Sequence, residues 1–140
     1  IDVQPMLFPE GFNPDMVIID SLSSIASAFS GEESRFRIYM EQLFRYLEKS
    51  SITSLLIREV SNPGHIGKSY TEKGEAISFL SDGIIVVYNV AYHTGKRGRA
   101  IEILKMRGAP IERKIVKIEL TQRGIKVYPN LTLKGKYELT

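Results

Sequence analysis

Hydrophobic and polar residues follow two different periods along the chain. Met16–Ile19 and Ile52–Val60 are nearly continuous apolar runs, the pattern of parallel strands buried on both faces. Between them, apolar residues recur every three or four positions over residues 32–49, which predicts a helix. Ser30 and Glu33 have the spacing of a capping box at its start. The order strand, helix, strand predicts a parallel pair joined by a right-handed crossover.

In the second half of the chain, apolar and polar residues alternate with a shorter period. Ile84–Tyr88 predicts a third strand, and a short helix is predicted over Glu72–Leu80. Three further short strands alternate apolar and polar residues, which favours antiparallel pairing: Ala100–Met106, Ile115–Leu120 and Ile125–Tyr128. We therefore predict an α/β fold in which parallel strands with crossover helices precede an antiparallel C-terminal extension. Residues 1–140 are expected to form a single domain, with an irregular lead-in at 1–15 and a tail at 130–140.

Composition limits the classes of protein that the chain can belong to. It has 140 residues, a formal net charge of +3 and no cysteine, so disulfides and thiolate metal sites are excluded. A cytoplasmic location is the simplest expectation. No apolar run approaches the roughly 20 residues that span a bilayer, so no membrane contact is expected. The first residue is not methionine, from which we expect a fragment or a processed chain.

Asp20 and Ser21 directly follow the first apolar run. Open parallel sheets place their chemistry at the carboxyl ends of strands, and Mg²⁺ bound to a nucleotide takes one or two protein oxygens plus water. Asp20 is therefore a candidate metal ligand and Ser21 a candidate nucleotide contact. Alternatively, Asp20 caps the helix that starts at Leu22. Spacing favours the cap.

Lys105 and Arg107 stand one residue apart at the end of an apolar strand. Alternating side chains put both cations on one face, where they suit phosphate oxygens; the alternative is a solvated strand end. Glu59 ends the second apolar run and would lie near Asp20 if the two strands are neighbours. There it could position a water molecule or sense a γ-phosphate, or it could pair with Arg58 or another cation at the sheet edge.

The polar loop at 61–74 has two interpretations, a connecting loop and a contact surface for nucleic acid. Asn62–Ser69 resembles a phosphate-binding loop, but asparagine stands where the first glycine belongs, so we interpret it as a connecting loop. Four of its side chains could contact nucleic acid: His65, Lys68, Tyr70 and Lys73. His65 and His93 lack the spacing of a zinc site.

With these residues in view, the chain resembles the second half of a KaiC-like ATPase domain of the RecA/RadA superfamily. The matching segments run in order over residues 14–129: Val17-Ile-Ile-Asp-Ser-Leu22, Phe44-Arg-Tyr-Leu47, Ser54-Leu-Leu-Ile-Arg-Glu59, Glu75-Ala-Ile-Ser-Phe-Leu-Ser-Asp-Gly-Ile-Ile85, Arg99-Ala-Ile-Glu-Ile-Leu-Lys-Met-Arg-Gly108 and Gly124-Ile-Lys-Val-Tyr128. The Leu-Lys-Met-Arg-Gly segment is the most specific of them.

The resemblance implies a partial RecA-like core, ATP with Mg²⁺, and a homo-oligomeric ring or filament with nucleotide between subunits. Asp20 would match the Walker B carboxylate that serves the metal. Lys105 and Arg107 would match the pair that reaches a neighbour's phosphates, and Glu59 the residue that senses nucleotide; these three are the candidate catalytic residues. The loop at 61–74 would match a region that faces DNA in recombinase relatives.

Two departures from the family pattern are visible. The phosphate-binding loop has no counterpart within residues 1–140, so this segment alone is not expected to bind ATP in a pocket of its own. Ala109-Pro-Ile-Glu112 replaces a histidine that often follows the Lys-x-Arg pair. We therefore expect either a fragment of a longer ATPase or a degenerate member that acts in trans. The alternative function is a non-catalytic module that binds nucleic acid or a partner through its basic hairpin and loop 61–74.

Overall fold

The computed structural model describes residues 8–59 and 80–140. These residues fall into two compact units, one formed by 8–59 with Leu80 and the other by 81–140. The loop predicted at 61–74 lies outside the described residues, as does the helix predicted at 72–80 apart from its last residue. The expectation of a single domain stays a prediction.

The first unit is built on two parallel strands, β1 (Met16–Asp20) and β2 (Thr53–Ile57). Between them the chain forms two helices, α1 (Leu22–Ala28) and α2 (Glu33–Lys49). The strands pair in parallel from Met16 opposite Thr53 to Asp20 opposite Ile57. The predicted strand–helix–strand unit is therefore confirmed.

One stripe of α2 forms the core of this unit. Met40, Leu43 and Leu47 recur at the spacing of a single helical face, and Met40 and Leu43 are fully buried. The stripe packs against Val17 and Ile19, which alternate on β1, and against Leu56 on β2. The apolar period of the sequence predicts this face because it repeats over all 17 residues of the helix.

The expectation that β1 and β2 are buried on both faces is wrong for this chain. Ile18 is 60% exposed and Leu55 is 49% exposed, and Met16 and Ile57 beside them are also exposed. Neighbouring side chains on a strand point to opposite faces, and α2 packs against one of them. The unit therefore presents a bare apolar surface on the other side of its two strands.

The capping box predicted at Ser30 is not formed. Glu32 occupies the N-cap position of α2, and no side chain makes a capping hydrogen bond there. The carboxylate of Glu32 instead pairs with Arg35 at 3.2 Å, one turn along the helix. Gly31 has a φ of 80°, so the chain turns immediately before the helix and moves Ser30 out of capping reach.

The second unit is a five-stranded antiparallel sheet in the spatial order β6-β5-β4-β3-β7. Its strands are β3 (Gly83–Tyr92), β4 (Arg97–Met106), β5 (Val116–Thr121), β6 (Gly124–Thr132) and β7 (Tyr137–Leu139). The antiparallel extension is thus confirmed, although β3 and β6 run four residues further than the apolar pattern predicts. Residues 130–140, predicted as a tail, contain the end of β6 and all of β7.

The core of the second unit lies on the β3–β4 pair. Tyr88, Val90 and Ala100 are buried there, and Leu133 and Leu139 pack against them from the C-terminal segment. The β3–β4 and β5–β6 connections are tight hairpins. The β5–β6 hairpin closes at Gly124, whose φ of 115° is accessible to glycine at little cost.

Neither of the two helices within residues 8–59 and 80–140 has the length and apolar content that a membrane span requires. The longer helix, α2, has 17 residues and carries charged side chains on its outer face.

Candidate functional site

Two carboxylates follow the paired strands of the first unit. Asp20 is the last residue of β1 and lies opposite Ile57, the last residue of β2; Glu59 follows two residues later. Both carboxylates are exposed, and neither makes a hydrogen bond or ion pair within the described residues. Because the strands are parallel, their carboxyl ends share one edge of the sheet. The condition that β1 and β2 are neighbours is therefore met, and the proposed pairing of Glu59 with Arg58 is not observed.

The alternative in which Asp20 caps the following helix is wrong. Ser21, with a φ of −137°, occupies the N-cap position of α1, and no side-chain capping bond is present. The carbonyl of Ser21 accepts a hydrogen bond from the amide of Ser24 at 3.2 Å. The carboxylate of Asp20 is thus not used by the helix.

The donor set at this edge fits a nucleotide-bound Mg²⁺ and does not fit a fully protein-ligated metal. Among the described residues, no group of three or more His, Asp or Glu side chains comes together. Mg²⁺ that is bound to phosphates keeps several waters and requires one or two carboxylates, which Asp20 can supply.

The two cations of the second unit lie against the start of β3. Lys105 donates from Nζ to the carbonyl oxygen of Ser81 at 2.6 Å. Arg107 donates from Nη1 to Oδ1 of Asp82 at 2.9 Å, and its backbone amide donates to the carbonyl of Asp82 at 2.7 Å. Both side chains therefore reach the same two-residue segment of their own chain.

An irregularity in the ladder sets the position of Lys105. Ile84 lies opposite Lys105 whereas Ile85 lies opposite Ile103, so Leu104 is an extra residue on β4. Such a bulge redirects the side chains beside it and often occurs next to functional sites. The buried side chain of Leu104 fixes the bulge in the core of the unit.

Two glycines make this strand end possible. A Cβ on Gly83 would lie 3.3 Å from the side chain of Met106, so glycine allows β3 to approach the end of β4 closely. Gly108 has a φ of 77° in the turn that follows Arg107, where the amide of Ala109 bonds the carbonyl of Met106 at 3.4 Å. A positive φ at the third position of such a turn favours glycine.

A partly buried polar pair lies on the same two strands. The hydroxyl of Tyr88 donates to Oε2 of Glu102 at 2.8 Å, and Tyr88 is buried. Burial, together with the hydrogen bond and the negative charge of Glu102, raises the pKa of Tyr88 well above its usual range. The pair anchors the sheet beneath the cation-bearing strand end.

Asp82, Ser81 and Glu102 were not predicted as part of any site. The local sequence around Asp82 says nothing of its partner across the sheet. Counting back from the β3–β4 hairpin loop would place Gly83 opposite Lys105, whereas the bulge at Leu104 shifts the register and places Gly83 opposite Met106. The four residues predicted to contact nucleic acid, His65, Lys68, Tyr70 and Lys73, lie outside the described residues.

Comparison with known proteins identifies the family. The sequence model of the family described as "ATPase: KaiC" matches residues 9–132. This chain belongs to the KaiC family of ATPases. It is 28% identical over 119 residues to the circadian clock oscillator protein KaiC 1 of Synechocystis sp., an alignment that covers 84% of the chain. A crystal structure of a KaiC-like protein from the hyperthermophile Pyrococcus horikoshii superposes with a TM-score of 0.66 at 28% identity and covers 91% of the chain.

The chain spans only part of each of these relatives. It covers 22% of the Synechocystis protein and 52% of the solved Pyrococcus protein. The mixed α/β architecture, with its parallel strands and antiparallel extension, agrees with a partial RecA-like core. Membership of the family implies nucleotide and Mg²⁺ as ligands in general.

Proposed function

We propose that the chain contributes the Walker B strand and a trans-acting Lys–Arg pair to ATP binding and hydrolysis between the subunits of a KaiC-like homo-oligomer. The observation that carries this proposal is the placement of Lys105 and Arg107 together at the end of β4, within a chain of the KaiC family. A ring or a filament in the cytoplasm is the expected setting.

Asp20 is the residue that would hold Mg²⁺, through bound water. Its carboxylate ends β1, is exposed and has no hydrogen-bond partner in the described part of the chain. Mg²⁺ would neutralise phosphate charge when it is bound. Ser21, next in sequence, would contact the same nucleotide, and Glu59, two residues beyond β2, would orient a water molecule or respond to the γ-phosphate.

Lys105 and Arg107 would act on the nucleotide of a neighbouring subunit. Arg107 can contact two phosphate oxygens at once, whereas Lys105 acts as a point charge. Cations placed on the transferred phosphoryl group stabilise the charge of the transition state. This role needs a phosphate-binding loop, which the sequence of residues 1–140 does not contain.

The decisive experiment is ATP turnover by the native protein that carries this chain. Arg107→Ala is expected to lower kcat by about tenfold to 10³-fold, since a trans-acting arginine contributes on that scale or above it. Arg113→Ala is the matched control, because Arg113 is an exposed arginine of the same unit without an ion pair in the described residues. Unchanged turnover in Arg107→Ala, with the fold intact by circular dichroism, would count against the proposal.

The second candidate is a binding module for nucleic acid or another anionic partner. It is favoured by the exposed cations on the β3–β4 hairpin, Lys96, Arg97 and Arg99, which form no ion pair in residues 8–59 and 80–140. Binding to single-stranded DNA should then weaken steeply as salt rises. Absence of binding at low salt would remove this candidate.

A further inference from the structure

The contact between Arg107 and Asp82 has two parts of different kinds. The backbone amide of Arg107 donates to the carbonyl of Asp82 at 2.7 Å and fixes the main chain at the strand end. The side-chain bond from Nη1 to Oδ1 of Asp82, at 2.9 Å, restrains the guanidinium itself. Any side-chain substitution of Asp82 leaves the first bond possible and removes or weakens the second.

Most of the guanidinium remains available for another ligand. Arg107 has five N–H donors in a planar fork, and Asp82 takes one of them. The Nε–Nη2 edge makes no hydrogen bond within the described residues, and the side chain is 58% exposed. That edge can meet two oxygens of one phosphate in the bidentate geometry that arginine favours.

We propose that Asp82 is a positioning residue for Arg107: its carboxylate holds Nη1, so that the Nε–Nη2 edge faces outward towards an anionic oxygen pair. The inference rests on the proposed trans-acting role of Arg107. An arginine side chain loses much rotational freedom when it binds, and a restraint made beforehand reduces that loss. The backbone of Ser81 restrains the other cation in the same way, because its carbonyl oxygen accepts a hydrogen bond from Nζ of Lys105.

The geometry distinguishes positioning from blocking. A carboxylate that blocked Arg107 would occupy the edge that phosphate needs, whereas Asp82 contacts a single Nη1 and is itself 81% exposed. An ion pair this exposed is weak, so it can orient the guanidinium without withholding it from a highly charged phosphate. Positioning predicts lower turnover when the carboxylate is removed, and blocking predicts higher turnover.

The activity test compares Asp82→Ala with Arg107→Ala and with the double variant in the native protein. We expect Asp82→Ala to lower kcat by about three- to tenfold, the scale set by a weak restraint, with KM within about twofold. In the Arg107→Ala background the same substitution should have no further effect, since Asp82 acts through that arginine. Asp82→Glu should restore part of the loss. Glu112→Ala is the control, because it removes another exposed carboxylate of the unit, paired with Lys114 at 2.8 Å.

A second readout uses the 140-residue chain without ATP. The Nε–Hε group of Arg107 is followed by ¹⁵N NMR relaxation, and its order parameter should fall in Asp82→Ala but not in Glu112→Ala. Inorganic tripolyphosphate, used as the probe, should shift this signal in the wild-type chain.

The outcomes separate the two proposals. If Arg107→Ala leaves turnover unchanged, the proposed function fails, whatever Asp82 does. If Arg107→Ala lowers turnover while Asp82→Ala lowers neither turnover nor the order parameter of Nε–Hε, the positioning role alone fails. Higher kcat in Asp82→Ala would overturn positioning in favour of a blocking contact.

Discussion

The two units of this chain differ in charge as much as in architecture. Residues 8–59 carry five Lys and Arg against eight Asp and Glu, a net charge of −3, and they hold both strand-end carboxylates. Residues 81–140 carry twelve Lys and Arg against five Asp and Glu, a net charge of +7, and they hold both strand-end cations. The formal charge of +3 for the whole chain conceals this separation. The edge proposed to bind a metal and the edge proposed to bind an anion thus lie on units whose net charges favour those ligands.

The units also differ in what holds them together. The parallel unit depends on two helices packed against two strands, and within the described residues those strands pair only with each other. The antiparallel unit is a continuous ladder of five strands, so its core residues are supported by neighbours on both sides. We therefore expect single core substitutions to be most damaging in the parallel unit.

The largest effect is expected from Leu43→Ala. Leu43 is fully buried in the α2 stripe, so its removal leaves a cavity and should lower the free energy of unfolding by about 2–5 kcal/mol. Ile18→Ala is the matched control on the bare face of β1, where the side chain is 60% exposed, and should cost no more than about 0.5 kcal/mol.

Urea unfolding measures both variants, and amide hydrogen exchange assigns the loss to a unit. Protection of backbone amides from hydrogen exchange should fall in residues 8–59 after Leu43→Ala. An equal fall in β3–β6 would mean that the two units unfold as one, and the comparison between them would then not hold for stability.

The difference between local and long-range order explains which features were predictable. The α2 helix and the β1–β2 pair follow from periods that lie within a few residues, and so does the position of Asp20 at a strand end. The contact of Arg107 with Asp82 spans 25 positions and depends on the register of β3 with β4 and on the bulge at Leu104. No local pattern contains that register.

The predictions of strand ends and of the helix cap were wrong for a related reason. β3 continues to Tyr92 and β6 to Thr132 because a ladder is held by backbone hydrogen bonds, to which polar side chains are no obstacle. Ser30 has the right spacing for a cap, but Gly31 turns the chain before the helix begins. The turn at Gly31 therefore determines where the helix begins, and the Ser30–Glu33 spacing does not reveal that turn.

The next largest effect is expected from a pair of glycine substitutions, one in each unit. Gly108 and Gly31 have φ values of 77° and 80°, and a Cβ at either position would meet nothing within 4 Å. Alanine should therefore cost about 1–2 kcal/mol at both, from backbone strain alone. Hydrogen exchange should show the loss from Gly31→Ala in residues 8–59 and that from Gly108→Ala in residues 81–140. A cost near zero at Gly108 would mean that the turn after Arg107 adopts another conformation.

A smaller effect, with a distinctive pH dependence, is expected from Tyr88→Phe. The variant loses the hydrogen bond to Glu102 and should be less stable by about 0.5–1.5 kcal/mol at pH 7. Because the pKa of Tyr88 is raised in the folded state, its contribution is fully present below pH 10 and is lost as the pH rises above that value. Wild type should therefore lose more stability than Tyr88→Phe between pH 9 and about pH 11.

Urea unfolding at these two pH values makes the measurement. Tyr39→Phe is the control in the parallel unit, since the Tyr39 hydroxyl makes no hydrogen bond in the described residues and should be dispensable. An identical alkaline loss in wild type and Tyr88→Phe would contradict the partly buried pair.

The smallest effect is expected from Glu119→Gln on the surface of the antiparallel unit. Glu119 accepts from Lys117 at 2.9 Å and from the hydroxyl of Tyr128 at 2.9 Å, and these two hydrogen bonds lower its pKa. A lowered pKa gives stability that is present above the ordinary value of 4.5 and is lost as the pH falls. The difference in thermal midpoint between wild type and Glu119→Gln should thus be small at pH 7 and vanish in acid.

The control for this last substitution lies in the parallel unit. Glu41→Gln removes a single exposed contact to Arg37 at 3.4 Å, which is longer than either bond of Glu119 and lacks an aromatic partner. Because Lys126 also lies 5.0 Å from the ring of Tyr128, Glu119 belongs to a network whereas Glu41 belongs to an isolated pair. Removing one member of a charge network lowers stability more than removing one member of an isolated ion pair. Glu119→Gln should therefore lower the thermal midpoint more than Glu41→Gln does. The reverse order would contradict the view that Lys117, Glu119, Lys126 and Tyr128 form a stabilising network.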